Sequence, residues 1–283
     1  MTNARRKADN NGGAPYQKGV TSPAAPCLDP NPESAAEQII ECVGDLVRTI
    51  ARRISADGRI LWFRGHRSAI WDVQPSVWRP EFKGKERDLT NRFRSRAGTR
   101  HQALPAYEDS ATWLSLMQHY GLPTRLLDWT RSPLIAAYFA LERYIYEKKA
   151  TRQDAAIWIL EPHKLNVSEG FEDITPTIEA HMCTDLLKPA FTDKRLKRPP
   201  GRVLAAMAAE RDIRMFIQQG CFTIHMDETP LNKRRRHETY LTRLTIPAEF
   251  VKNMAFEIDV CGFRKGDIFP DLGHLADELR RLR

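Results

Sequence analysis

At 283 residues with a formal net charge of +8, the chain is expected to form one main domain over residues 33–283, because no interior stretch reads as a linker. Its five cysteines, Cys27, Cys42, Cys183, Cys221 and Cys261, form no CxxC pair, which argues against structural zinc and fits a reducing cytoplasm. The longest apolar run, Leu134 to Leu141, falls far short of the roughly 20 residues a bilayer needs, so no membrane span is expected, and the basic balance points to an anionic partner such as nucleic acid, a nucleotide or a membrane surface.

In chain order, residues 1–32 are rich in Asn, Gly, Pro, Ala and charge and read as a disordered leader. Ser34 is placed to cap a helix from about Ala35 to Ile54, whose Ile39, Val43, Leu46, Val47 and Ile50 recur at spacings of three and four. After a turn at Asp57-Gly58, the apolar and aromatic stretch from Arg59 to His66 suits a buried strand, which Gly65 either ends or opens to a ligand. Tyr107 to Tyr120 returns to a helical pattern that Gly121 stops. Leu126 to Trp129 is a short strand, Ser132-Pro133 starts a helix reaching Lys148, and Ala155 to Leu160 is a strand that Pro162 stops.

Beyond a basic section punctuated by Pro189 and Pro199-Pro200, Arg202 to Arg211 looks helical. Cys221 to Met226 and Thr239 to Ile246 read as strands joined by a basic hairpin loop near 227–238, which carries Lys233, Arg234, Arg235 and Arg236. A short helix opens at Pro247, Phe256 to Val260 is a last strand, and Leu272 to Leu282 is a closing helix. The implied fold is mixed α/β (α+β), with a largely antiparallel split sheet and flanking helices.

Polar chemistry concentrates where burial is expected, in Trp62 to Gly65 and Gln118 to Leu141. A buried polar group costs on the order of 1 to 3 kcal/mol unless it finds a partner, so this cluster is either a self-satisfied network or a ligand site. Arg64 suits recognition of a phosphate, or it pairs with Asp128 to hold two strands in register. His119 is either a helix-end residue or a proton-transfer group, with Gln118 beside it as an amide-edge reader. Thr130 and Ser132 either cap a helix or receive an anion at its N-terminus, and Trp129 either fills the core or stacks on a base. Tyr138 reads as core or as part of the site. The Lys233 to Arg236 run is the candidate phosphate-facing patch for nucleic acid.

These residues resemble the FRG domain, a bacterial family named for the triplet that is here Phe63-Arg64-Gly65. The resemblance continues through QHYGLPTRLLDWTRSPLIAAYFAL at Gln118 to Leu141, QQGCFTIH at Gln218 to His225 and IFPDL at Ile268 to Leu272. A second resemblance is to the ADP-ribosyltransferase fold. It maps a strand-end arginine and glycine onto Arg64-Gly65, a Ser/Thr-rich strand end and its helix onto Trp129 to Ser132 with Tyr138 to Ala140, and the strand that carries a catalytic glutamate onto Gln218 to Gly220.

That likeness implies an NAD-binding, ADP-ribosyltransferase-like or NAD-glycohydrolase-like protein. In it Arg64, His119 and Gln219 would be catalytic, and Arg64, Gly65, Trp129, Thr130, Ser132 and Tyr138 would hold the nucleotide. Glutamine stands where the fold has glutamate, so Glu210, Asp227 or Glu228 would have to replace the acid, or the protein binds without reacting. Analogy with bacterial FRG proteins suggests a toxin or anti-phage effector. The competing expectations are a basic nucleic-acid-binding or nuclease-like module and a non-catalytic regulatory domain.

Overall fold

A computed structural model describes residues 38–58, 60–101, 103–147, 149–192, 201–209 and 212–280. The leader, Ser34 and Glu210 lie outside these residues. The elements are β1 (Gln38–Ile39), α1 (Val43–Asp57), β2 (Trp62–His66), α2 (Glu86–Ala97), α3 (Ser110–His119), β3 (Leu126–Thr130), α4 (Pro133–Tyr146), β4 (Ala155–Leu160), α5 (Pro162–Ser168), α6 (His181–Leu187), β5 (Val203–Met207), α7 (Ile213–Ile217), β6 (Gly220–His225), β7 (Leu241–Ile246), α8 (Val251–Val260), α9 (Lys265–Ile268) and α10 (Leu272–Leu279).

The strands form one seven-stranded sheet in the order β1-β7-β4-β2-β3-β6-β5. The β1–β7 pair is parallel and every other pair is antiparallel, which matches the mixed, largely antiparallel sheet expected from the sequence. Pairing is continuous within β1-β7-β4-β2 and within β3-β6-β5, but β2 meets β3 at the single register pair Phe63↔Thr130. Beyond that pair the two halves part.

Side-chain alternation then sorts the core. Phe63, Ile157, Ile159 and Leu244 face α1, α4 and α8, while Leu126, Phe222 and Ile224 face α3 and α6. Trp62, Leu127, Trp129, Trp158, Cys221 and Tyr240 fill the opposite face.

Local signals explain most element ends. Gly121 takes a left-handed φ of 76° just past α3, and Leu122 N–H donates to Met117 O at 2.9 Å, a Schellman-type closure. Ser132 caps α4 by accepting from Ile135 N, with Pro133 at the first helical position.

Four sequence expectations need correction. The first helix begins at Val43, not near Ala35, because Gln38 and Ile39 are drawn into the parallel pair with Leu244 and Thr245. Val203–Met207 is a strand, not a helix; its alanine-rich sequence lies against packed cores on both faces, with Val203 and Ala205 on one side and Leu204 and Ala206 on the other. Phe256 to Val260 belongs to α8, where Val251, Met254, Ala255 and Ile258 form the buried stripe and Phe256 and Val260 point outward. The basic loop is no hairpin, since β6 pairs with β3 and β5 while β7 pairs with β4 and β1; the segment crosses between the halves of the sheet.

Gly65 is set by close packing. An added Cβ would lie 1.9 Å from Ala136 O and 2.7 Å from Ala140 N, both backbone atoms of α4. The glycine therefore admits a helix to the strand, which a side chain would push away. Gly65→Ala should lower stability by about 1 to 3 kcal/mol, as read by chemical denaturation. A variant as stable as the parent would contradict this packing account.

Candidate functional site

Where β2 and β3 part, Arg64 takes the place of the missing ladder. Its Nη1 donates to the Asp128 backbone oxygen at 2.6 Å, and its Nε donates to His66 Nε2 at 3.1 Å. The two-residue strand period places Arg64 and His66 on one face of β2. To accept, His66 must keep Nε2 unprotonated, and burial together with the Arg64 charge pushes its pKa down to about 3. The guanidinium has no carboxylate within ion-pair distance among the described residues. A guanidinium carries five N–H donors, and two are engaged, which leaves both on Nη2 and one on Nη1.

Arg64 lines a cleft of about 300 Å³ together with Asp128, Gln118, His119, Trp71, Phe139, Glu142, Arg79, Arg214 and Gln218. The Asp128 carboxylate is oriented by a short relay. Leu126 N–H donates to Thr124 Oγ1 at 3.1 Å, the Thr124 hydroxyl donates to Gln118 Oε1 at 2.5 Å, and Gln118 Nε2 donates to Asp128 Oδ2 at 2.7 Å. This relay accounts for Gln118, Thr124 and Asp128 standing at their spacing in the central motif.

Arg125, although three residues from Asp128, turns away from it. It is buried against Glu86 of α2, with Nη2 at 2.5 Å and its own backbone N–H on the same carboxylate, and Nη1 caps Leu186 O. Removing one partner of such a buried pair typically costs about 3 to 5 kcal/mol, so its role is to lock α2 and α6 beside the cleft.

His119 reaches the cleft from the end of α3, with Nδ1 2.6 Å from Asp212 Oδ2. Asp212 is itself held by Arg214 N–H at 2.9 Å. Burial keeps the His119 pKa below its ordinary value, opposed by the Asp212 charge. From α4, Phe139 and Glu142 face the cleft three residues apart. Burial raises the Glu142 pKa, opposed by Arg67 and Lys265.

Of the other residues named from sequence, Trp129 contributes to the cleft wall, yet it is only 3% exposed. Its Nε1 donates to Thr223 Oγ1 at 3.0 Å, and Thr223 Oγ1 lies 2.9 Å from His225 Nε2, so the ring is core and has no open stacking face. The aromatic that is open at the cleft is Trp71, 45% exposed. The Thr130 hydroxyl donates to Gln218 O and receives Ser132 N–H, and Ser132 caps α4; both are occupied by turn and cap duties.

Tyr138 is fully buried in the α4 core and does not line the cleft. Gln219 is exposed with a left-handed φ of 49°, and its backbone oxygen receives Arg131 N–H; Gln218 is the glutamine that faces the cleft. Asp227 and Glu228 lie elsewhere, paired with Arg234 and Lys83. Gly65 packs against α4 and also lines the cleft.

Lys233 is bound to Asp72, and Arg234 is half-buried between Glu169 and Asp227, so only Arg235 and Arg236 of that run stand free among the described residues. Sequence reasoning missed Glu142, Trp71 and Asp212. A glutamate inside the otherwise apolar AAYFALE helix was the one available signal for Glu142. Trp71 sits in the irregular loop just after β2, where no periodicity gives its direction, and nothing in the sequence brings the distant Asp212 to His119.

His66 and the fully buried His225 both sit near a pKa of about 3, against an ordinary value of about 6.5. Between those values the unfolded chain binds more protons than the folded one, so stability falls as pH drops through 6.5. Two such groups imply a loss of about 2 kcal/mol between pH 6 and pH 5, measurable by denaturant melts. The loss should shrink in a His66→Gln/His225→Gln variant. Flat wild-type stability over that interval would contradict neutral burial of these rings.

Among the described residues no helix is long and apolar enough to cross a membrane. Comparison with curated proteins and with solved structures gave no match, and the ADP-ribosyltransferase likeness rests on the sequence alone. One family model does match, that of the FRG domain, over residues 59–149. This stretch runs through β2, α2, α3, β3 and α4 and supplies Arg64, Gln118, His119, Asp128 and Glu142. The segment that matches the FRG domain model, residues 59–149, thus supplies most of the residues that line the cleft.

Proposed function

We propose that the cleft binds a nucleotide of the NAD class and that the protein acts, in the manner of an ADP-ribosyltransferase or NAD glycohydrolase, on the N-glycosidic bond of its ribose. The observation that carries this reading is the Arg64 guanidinium, charged, largely buried and without a carboxylate partner. Burial lowers its pKa, with Asp128 opposing and Arg79 adding to the shift. A phosphate or ribose oxygen accepting the three remaining N–H groups would offset that cost, because charge-assisted bonds to a guanidinium fork are among the strongest available.

About 300 Å³ lies at the small end of ligand pockets, so the cleft suits one ribonucleotide half of a dinucleotide, with Trp71 as its stacking surface. Asp128, fixed by Gln118, supplies the negative group that the Gln218-Gln219 segment lacks. It would stabilise positive charge developing at the ribose C1 as nicotinamide leaves with the bonding pair and water or an acceptor takes its place. His119, backed by Asp212, would accept the proton of the incoming group.

Calorimetric titration with NAD and ADP-ribose tests binding, and nicotinamide release tests turnover. Arg64→Gln should weaken binding about 10- to 100-fold, the worth of one or two charge-assisted bonds. Arg64→Lys, which keeps the charge and a donor toward Asp128, should fold while losing part of that affinity. Asp128→Asn should bind but release nicotinamide on the order of 10²-fold more slowly. Wild-type protein that neither binds nor turns over these nucleotides, or Arg64 variants that bind as the parent does, would overturn the reading.

A further inference from the structure

A second, wider groove of about 1430 Å³ adjoins the cleft. The two share a wall: Asp72 lines the cleft and Lys233 lines the groove, and their side chains meet at 2.6 Å, with Asn232 Nδ2 holding the other Asp72 oxygen at 3.1 Å.

The groove is floored by an internally neutralised arginine. Arg234 donates through Nε and Nη2 to Glu169 at 2.8 and 2.9 Å, through Nη1 to Asp227 at 3.1 Å, and through Nη2 to Gly201 O at 2.5 Å. These bonds fix the crossing segment between β6 and β7 and leave Arg234 little to offer a ligand. Arg235 and Arg236 are exposed on the same segment, and Arg202 comes in from the start of β5 with its guanidinium 5.4 Å from the Phe171 ring centre. None of these three has a carboxylate partner among the described residues, so the groove presents three uncompensated forks above a satisfied base.

We propose that this groove binds the phosphate backbone of a nucleic acid and brings a strand to the mouth of the cleft, making nucleic acid the acceptor class there. The binding stands on the groove alone; the acceptor role rests on the function proposed above. Planar forks pair well with phosphate oxygens, and several separate forks suit a polymer of repeating phosphates better than one small anion. A concave channel also fits a strand rather than a flat bilayer. In the transfer, an acceptor nucleophile bonds to the ribose C1, the C–N bond breaks, nicotinamide leaves with its electron pair, and the acceptor's proton passes to His119.

The test uses the full chain and fluorescently labelled 20-nucleotide DNA and RNA single strands, followed by anisotropy at 50 and 200 mM salt. Three phosphate contacts imply a log–log salt slope near −2 and a loss of affinity of roughly 20-fold over that range. Arg235→Glu/Arg236→Glu should weaken binding at least about tenfold and flatten the slope. Arg52→Glu/Arg96→Glu, the same charge change at exposed positions of α1 and α2 that line neither cavity, should have little effect.

If the glutamate variant melts early, Arg202→Gln/Arg235→Gln replaces it. Equal losses in both charge-matched variants would overturn the groove as the site, as would wild-type protein that ignores the oligonucleotides or binds only polyphosphate or phosphatidylserine vesicles. The groove variants should still bind NAD, and Arg64→Lys should still bind the oligonucleotide, so failure of either site is read separately. Oligonucleotide binding together with nicotinamide release, but without label passing from NAD to the strand, would overturn the acceptor role alone.

Discussion

The ladder that β2 and β3 fail to complete is the constraint around which the rest of the structure is arranged. A strand whose backbone polar groups lose their neighbour must find other partners. Here one side chain, Arg64, crosses the gap to the Asp128 carbonyl. Placing a guanidinium in that gap creates a second demand, because its charge is removed from water. The neutral His66 ring meets part of it as an acceptor. The rest faces the cleft that the parting strands open, so the same break in the sheet makes both the cavity and the group best suited to hold an anion in it.

The remaining polar residues of the motif divide by what they touch. Arg125 is consumed by Glu86, Thr130 and Ser132 by the turn into α4, and Trp129 by the buried relay through Thr223 to His225. They hold α2, α4 and β6 in position around the break. Arg64, Asp128 and His119 keep donor or acceptor capacity toward the cleft, and Glu142 and Trp71 complete its walls. A motif that reads as one cluster is thus a frame and a site interleaved. The Asp72–Lys233 pair joins the wall of that cleft to the basic groove.

Much of the sheet was legible in the sequence because the buried strands near the break carry strong local signals. Ala155–Leu160 is apolar throughout, and Ser132-Pro133 and Gly121 punctuate the neighbouring helices. The misread elements are those that tertiary contacts decide. Alanines of β5 become a strand by filling space between two packed faces, and Phe256 and Val260 look β-like only because the buried residues of α8 are interleaved with them.

The site shows the same division. Arg64 and His119 could be named from residue type and position. The stacking role given to Trp129 failed because strand parity turns it away from Asp128 and into the opposite core. Gln219 gave way to Gln218 because the chain reverses in a left-handed turn there. Trp71 enters from the loop just after β2, Asp212 meets His119 from a segment far along the chain, and half of the basic run was already paired with acids that the sequence does not place beside it.

The most direct test of the account is nitrogen-15 NMR of the Arg64 side chain, in free protein and during titration with ADP-ribose. The account requires a slowly exchanging Nε–H held by His66, and Nη resonances that shift on titration while Nε stays nearly fixed. A rapidly exchanging Nε–H, with Nη signals indifferent to the nucleotide, would contradict the claim that the arginine spanning the broken ladder is also the anion grip of the cleft.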